Sequence, residues 1–252
     1  MILDDFRLTG KVAVVTGCNT GLGQGIACAL AEAGADIAGV YRSDAGNTPA
    51  LVAACGRRFA GIQADLSSRG AAVSVIQQAM QEYGHIDILV NNAGIIRRED
   101  AINFSEQDWD DVLNTNLKTL FFLSQEAAKH FIAQKSGRII NIASMLSFQG
   151  GIRVPSYTAA KSGVKGLTMA LTNEWAKYGV TVNAIAPGYM ETNNTAALRA
   201  DKDRNAAILE RIPAGRWGTP DDLKGAVVFL ASPAAAYVNG CTLAVDGGWL
   251  AR

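Results

Sequence analysis

The sequence predicts an α/β fold: a single-domain, doubly wound parallel sheet of about seven strands with helices on both faces. Short runs of β-branched apolar residues alternate along the chain with alanine-rich helical stretches. These runs are apolar at successive positions rather than at every second one, which is typical of strands buried on both faces. No Pro/Ser-rich linker or shift in composition divides residues 1–252, so one domain is expected.

The elements follow from these patterns in chain order. Strands are predicted at residues 11–16, 36–41, 58–63, 85–90, 138–143, 181–185 and 242–245. Helices are predicted at residues 22–33, 50–55, 68–83, 105–133, 157–178 and 221–231, the fourth of them beginning at Ser105 as N-cap. The least regular stretch, residues 189–220, is long enough to favour a substrate lid. The alternative for this stretch is an ordinary pair of surface helices.

Composition excludes several classes of protein. The 23 basic residues balance the 23 acidic ones, so the net charge gives no global attraction to nucleic acid or anionic lipid and leaves only a local patch as an alternative. No apolar run approaches the roughly 18–20 residues that cross a bilayer. Asp4 and Asp5 stand where a signal peptide carries bases, and a cytoplasmic location is therefore expected. Two distant histidines and four scattered cysteines without a CxxC pair predict no metal site.

A glycine-rich loop joins the first strand to the first helix. It reads TGCNTGLG over residues 16–23, with glycine at positions 17, 21 and 23. Glycine lets the backbone turn sharply and approach a ligand, and a helix N-terminus offers free N–H groups to a phosphate. The spacing differs from the general dinucleotide fingerprint. The motif alone therefore leaves open a tight turn without a ligand.

Tyr157 and Lys161 form the clearest pair of reactive side chains. They are four residues apart in a predicted helix, so they share one face, and no other tyrosine has lysine at that spacing. A cation about 4 Å from a phenol is worth roughly 4 kcal/mol at an effective dielectric of about 20. That is enough to bring the pKa of the phenol towards neutrality, although burial would oppose part of the change. The pair is a candidate general acid and base.

Four loops with glycine or small polar residues are expected to meet at one rim. They are the glycine loop, residues 91–94 after the fourth strand, Ser144 after the fifth, and Pro187 with Gly188 after the sixth. The C-terminal ends of parallel strands share one edge of the sheet, where ligands bind. The set predicts a single ligand cleft.

These residues make the sequence resemble the short-chain dehydrogenase/reductase family over essentially its whole length. The matching motifs are TGCNTGLG, NNAG, Ser144, YTAAK and PGYMET. The resemblance implies a Rossmann-like, NAD(P)-dependent oxidoreductase. It implies that Gly17, Gly21 and Gly23 cradle the dinucleotide phosphates. The other implied cofactor residues are Asn19, Thr20, Leu22, Arg42, Asp65 at the adenine, Leu66, Asn91, Ala93, Gly94, Pro187, Gly188 and Thr192 at the carboxamide.

The family resemblance also assigns catalytic roles. Ser144 would hold the substrate oxygen, and Tyr157 would donate the proton in reduction and accept it in oxidation. Lys161 would bind the nicotinamide ribose and favour the tyrosinate. Asn116 would hold a water that links Lys161 to solvent, whereas its residue type alone favours a mid-helix asparagine satisfied locally.

Within the family, the likeness is to members that act on C6 deoxy sugar acids. Arginine suits a carboxylate, and the sequence ranks Arg153 first for that contact, Arg97 second and Arg98 last. Gln149 and Asn193 are candidates for the sugar hydroxyls. The alternative is that the arginines pair with neighbouring surface acids such as Glu99.

Cofactor choice, substrate and assembly stay less defined. The end of the second strand carries Arg42 rather than an acid, so local chemistry permits NADP(H), whereas the resemblance favours NAD(H). A 3-oxoacyl thioester or gluconate is the alternative substrate within the family, and a nucleotide-binding sensor is the alternative outside enzymes. A homotetramer is the expected assembly, and the apolar tail at Trp249 could pack either against a neighbour or onto its own core.

Overall fold

The computed structural model describes residues 1–252 and contains one seven-stranded sheet. The strands are β1 (Val12–Thr16), β2 (Asp36–Tyr41), β3 (Phe59–Gln63), β4 (Ile88–Asn91), β5 (Gly137–Ile142), β6 (Val180–Pro187) and β7 (Thr242–Val245). Their order across the sheet is β3-β2-β1-β4-β5-β6-β7, and all pairs are parallel. The predicted fold class is confirmed.

Nine α-helices connect and cover the strands. They are α1 (Gly21–Glu32), α2 (Thr48–Ala54), α3 (Ala71–Tyr83), α4 (Glu106–Leu113), α5 (Thr119–Gln134), α6 (Pro155–Trp175), α7 (Ala196–Ala200), α8 (Lys202–Arg211) and α9 (Lys224–Ala231). None of them is long and apolar enough to span a bilayer.

The core lies on both faces of the sheet, as the apolar strand runs require. One layer packs β1, β4 and β5 against α1 and α9, and the other packs the opposite side chains against α3 and α5. Every residue of β1 and of β6 is buried. The chain reverses its direction of travel across the sheet between β1 and β4, and such a reversal opens a crevice at the C-terminal ends of the strands.

The predicted helix at residues 105–133 is interrupted. Ser105 caps α4 by accepting a hydrogen bond from the Asp108 N–H, as predicted. A π-helical turn, Asn114–Lys118, then separates α4 from α5. This turn contains the buried Asn116, and single π turns are frequent at functional sites.

Residues 189–220 contain α7 and α8, which form the pair of helices that was the alternative for this stretch. Ile208 and Ile212 of this segment pack against Met145, Trp217 and Trp249 in a separate apolar cluster. Trp249 is only 4% exposed, so the C-terminal tail folds onto its own chain.

Candidate active site

Tyr157 and Ser144 meet at the crevice. Tyr157 lies in the first turn of α6, which Pro155 begins, and Ser144 directly follows β5. The Ser144 hydroxyl oxygen accepts a hydrogen bond from the Leu146 N–H at 3.1 Å. That leaves the Ser144 hydroxyl proton free, and Ser144 is close enough to Tyr157 to lower its pKa. The pair can hold and protonate one substrate oxygen.

Burial dominates the acidity of the tyrosine. It raises the pKa of Tyr157, while the neighbouring Ser144 hydroxyl and the charge of Arg98 lower it by less. The net shift is therefore upward, opposite to the expected fall of this pKa towards neutrality. The reason is that the phenol is desolvated, which disfavours the phenolate. A protonated Tyr157 at neutral pH suits a proton donor.

Lys161 lies one turn further along α6 and is 4% exposed. Its ammonium donates a hydrogen bond to the Ile142 carbonyl at the end of β5, and its nitrogen is 5.6 Å from the centre of the Tyr157 ring. Burial lowers the pKa of Lys161 to about 8. The side chain is therefore a cation at neutral pH, and it is close to losing its proton.

Asn116 holds the loop that follows β4. Its Nδ2 donates to the Ile95 carbonyl at 2.8 Å, and its Oδ1 accepts from the Ile95 N–H at 2.8 Å. The π turn brings the amide to this position. These two hydrogen bonds satisfy the amide locally, as the residue type alone predicts. The role that the family resemblance implies, which is to hold a water that links Lys161 to solvent, stays a prediction.

The glycine loop is tied to the same loop after β4. The Thr16 hydroxyl accepts hydrogen bonds from the N–H groups of Asn92 and Ala93, both at 3.0 Å. Gly17 has φ of +65°, and a Cβ at Gly23 would overlap the Gly17 carbonyl. Glycine is therefore required at both positions for the turn to close on α1.

The N-terminus of α1 is free to bind an anion. The first backbone hydrogen bond of the helix runs from Gln24 to Thr20, so the N–H groups of Gly21, Leu22 and Gly23 have no protein acceptor. No acid lies in the first turn. These donors and the helix dipole suit a pyrophosphate, so the residues present fit a dinucleotide.

Thr192 covers this helix end from the other side of the crevice. Its side chain lies 3.5 Å from where a Cβ of Gly21 would be. Asn19 and Thr20 lie between Gly17 and the helix. Gly188 follows Pro187 at the end of β6, and a Cβ at this position would overlap Asp246. The chain from β6 to Thr192 therefore forms the wall facing the glycine loop.

The far end of the crevice carries Asp65 and Arg42. The Asp65 carboxylate accepts hydrogen bonds from the Ser67 hydroxyl at 2.7 Å and from its N–H at 2.9 Å. These bonds, and to a lesser extent the Arg42 charge, hold the pKa of Asp65 below its usual value. Leu66 is buried beside it. Asp44 turns back to its own loop, where it accepts the Gly46 N–H at 3.0 Å.

Asn91, which the family resemblance implies to steady the cofactor side of the fourth strand, has a buried side chain. The Asn91 amide is buried and donates to Ser124 at 3.0 Å and to Asn141 at 2.9 Å. It joins β4 to β5 and α5 instead. Gly94 lies beside the Asn116 amide in the loop that follows.

Most predicted substrate contacts are engaged elsewhere. Arg97 pairs with Asp108 at 3.0 Å, and Arg153 pairs with Asp100 at 3.0 Å. Gln149 accepts a hydrogen bond from Arg211 at 3.2 Å. Asn193 is exposed in a 3-10 turn, Asn193–Thr195.

Arg98, which the sequence ranked last, is the arginine whose charge reaches Tyr157. It has no carboxylate partner, and its guanidinium donates to the Asn194 carbonyl at 3.1 Å. The sequence signal for this difference is indirect: acids at positions 108 and 111 share one face of α4 and pair with Arg97.

Comparison with known proteins agrees with this arrangement. A family model described as Enoyl-(Acyl carrier protein) reductase matches residues 17–250. A 2-dehydro-3-deoxy-D-gluconate 5-dehydrogenase from Escherichia coli is 66% identical over 253 residues, 100% of both chains. A crystal structure from Agrobacterium tumefaciens, provisionally described as a 2-deoxy-D-gluconate 3-dehydrogenase with bound NADP, is 57% identical. Its TM-score is 0.93, and the match covers 99% of this chain and 100% of that one.

A gluconate 5-dehydrogenase from Burkholderia cenocepacia, in complex with NADP and tartrate, is 39% identical. Its TM-score is 0.96 with full coverage of both chains. Fold and site together define a nicotinamide-dependent oxidoreductase. The chain belongs to the short-chain dehydrogenase/reductase family.

Proposed function

We propose that this enzyme transfers a hydride between NAD(P) and a ketone or hydroxyl of a C6 deoxy sugar acid of the 2-dehydro-3-deoxy-D-gluconate type. The observation that carries the proposal is the placement of Tyr157 on α6, next to the Ser144 hydroxyl and one turn before Lys161. It supports oxidoreduction at a single oxygen. The sugar acid is supported by the full-length likeness to the Escherichia coli enzyme.

In reduction, Ser144 and Tyr157 hold the carbonyl oxygen, and Tyr157 passes its proton to that oxygen as the carbon receives the hydride. The dinucleotide, when bound, supplies the hydride and is oxidised. Lys161 stabilises the phenolate left behind. In oxidation the same groups act in reverse, and Tyr157 removes the hydroxyl proton.

For the dinucleotide, we propose that Gly21, Leu22 and Gly23 bind the pyrophosphate through their free N–H groups. Asp65 stays ionised and binds the adenine amino group. Because β2 ends at Tyr41 and is followed by Arg42, no acid at that point repels a 2′-phosphate. We propose that the site accepts NADP(H) as well as NAD(H).

Residues 189–220 are proposed to act as a substrate lid. Thr192 stands against the glycine loop at one end of this segment, and α8 rests on the apolar cluster around Trp249 at the other. A lid in this place would shield the oxygen held by Ser144 from water.

We propose that the protein forms a homotetramer. We also propose that it is located in the cytoplasm. Trp109 of α4, Phe122 of α5 and Met169 of α6 are 40%, 42% and 47% exposed. Apolar side chains on three helices favour contact with further copies. Light scattering coupled to gel filtration tests the mass directly.

A kinetic panel tests the activity. Purified enzyme is assayed with the keto-deoxy sugar acid and a 3-oxoacyl thioester, each with NADH and NADPH, and with gluconate and NAD⁺ or NADP⁺, by following nicotinamide absorbance. The proposal predicts the highest kcat/KM for the deoxy sugar acid. A higher value for the thioester would contradict it, and absence of turnover with every substrate would contradict the enzyme assignment of the Ser144 and Tyr157 pair.

A further inference from the structure

Three arginines lie at the mouth of the crevice, and two of them already hold acids. The Arg97 guanidinium is 3.0 Å from Asp108, and the Arg153 guanidinium is 3.0 Å from Asp100 and 3.3 Å from Glu99. Their charges are matched within the protein. An arginine that is already paired with a carboxylate has fewer free N–H donors and less uncompensated charge for a second carboxylate.

Arg98 differs from its neighbours because its only protein acceptor is neutral. One terminal N–H donates to the Asn194 carbonyl at 3.1 Å. A guanidinium carries five N–H donors in a planar fork, so this bond leaves a pair free for the two oxygens of a carboxylate. The side chain is exposed, and its bond to Asn194 holds it next to the wall that Thr192 forms.

The backbone that carries Arg98 is held rigidly. At its start, Asn92 donates through its amide to the Thr16 carbonyl at 2.9 Å and through its N–H to the Thr16 hydroxyl at 3.0 Å. Further along, Asn116 binds both the N–H and the carbonyl of Ile95. Only two residues separate Ile95 from Arg98. A charge on such a support is preorganised for binding.

The position of Arg98 also couples it to the chemistry. Its charge is close enough to lower the pKa of Tyr157 against the larger effect of burial. A carboxylate that neutralised Arg98 would remove this influence and favour the protonated tyrosine. The Arg98 charge therefore lies within electrostatic range of the Tyr157 hydroxyl.

We propose that Arg98 binds the substrate carboxylate and is the residue by which this enzyme selects a sugar acid over a neutral sugar. The inference rests on the proposed function, because it names the recognition element of the same site. It also assigns Asn194 a positioning role, since its carbonyl orients the guanidinium from the start of the lid segment.

The test compares Arg98→Met with Arg98→Lys and with two matched controls, Arg97→Met and Arg153→Met. Substrates are the keto-deoxy sugar acid and its uncharged primary amide. Arg98→Met is expected to raise KM for the acid about 10- to 100-fold, the usual value of a charged hydrogen-bonded contact, and to leave KM for the amide unchanged. The controls lose only exposed ion pairs, so KM should change by less than about fivefold.

Binding of D-gluconate, measured by calorimetry with the dinucleotide-loaded protein, separates this inference from the proposed function. Weaker binding to Arg98→Met than to the wild type, with partial recovery in Arg98→Lys, supports the role of Arg98 even if the deoxy sugar acid is not turned over. Equal gluconate binding by the wild type and Arg98→Met overturns it, as does an equal rise in KM for acid and amide. Absence of gluconate binding to the wild type overturns the role of Arg98 as a carboxylate site, whereas the proposed function is decided by turnover of the deoxy sugar acid.

Discussion

The ammonium nitrogen of Lys161 lies 5.6 Å from the centre of the Tyr157 ring, one helical turn away on the same face of α6. The two groups respond to their surroundings in opposite directions. Burial raises the pKa of Tyr157 and lowers that of Lys161 to about 8. Each shift favours the neutral form, as desolvation requires. The free enzyme is thus set to donate a proton.

This pairing predicts the pH dependence of the reduction. Lys161 is charged below its pKa of about 8 and neutral above it, and only the charged form stabilises the phenolate left by proton transfer. kcat/KM reports the groups of the free enzyme, so it should be level near pH 7 and fall as pH rises past about 8. A pH profile measured with saturating dinucleotide tests this.

The matched variant is Lys161→Arg, which keeps its charge throughout the range because a guanidinium does not lose its proton there. Its rate is expected to be lower, with no decline near the pKa of Lys161. A wild-type profile that stays level well into alkaline pH would show that the Lys161 charge is not needed.

A second prediction concerns the dinucleotide. Arg42→Ala should lower kcat/KM for NADPH by about tenfold or more, because it removes a charged contact with the 2′-phosphate, and should leave NADH nearly unchanged. Arg58→Ala is the control, since Arg58 pairs with Glu82 and stacks on Tyr83. Equal losses with both dinucleotides would place Arg42 outside the phosphate site.

The apolar cluster under α8 gives a third prediction. The Trp249 ring packs edge-on against Tyr189 with centroids 4.8 Å apart, and the Arg211 guanidinium lies 4.0 Å above it. Trp249→Ala should lower the free energy of unfolding by about 3–5 kcal/mol. It should also raise KM for the sugar acid, because α8 loses its support.

Denaturant unfolding and steady-state kinetics measure both effects on the same sample. Tyr237→Ala is the control, since that side chain is fully exposed and should change neither quantity. Loss of stability with an unchanged KM would mean that the segment is structural and does not act as a lid.

Much of the fold could be predicted from local patterns. The bounds of β2 and β7 match the predicted ones to the residue, because apolar strands are bounded there by glycine and polar residues. The π turn at Asn114–Lys118 could not be predicted. It is stabilised by the two hydrogen bonds between Asn116 and Ile95, which are 21 residues apart in the chain.

The residues of the candidate site were likewise predictable only where their positions depend on local sequence. Ser144, Tyr157 and Lys161 could be placed from strand ends and helical spacing, which are local. The arginines could not be ranked, because the answer depends on which acids fold next to them. Arg153 is paired with Asp100, and Arg98 is left without an acid. Burial likewise reverses the expected shift in the pKa of Tyr157, and burial is a property of the whole fold.

The central claim is that the Tyr157 hydroxyl is the proton donor, and Tyr157→Phe tests it most directly. Turnover of the keto-deoxy sugar acid and dinucleotide affinity are measured on one preparation of wild type and variant. We predict that kcat falls by about 10²- to 10⁴-fold, the usual contribution of a general acid, while the Kd of the dinucleotide stays within about twofold. A variant that turns over at close to the wild-type rate would contradict the account.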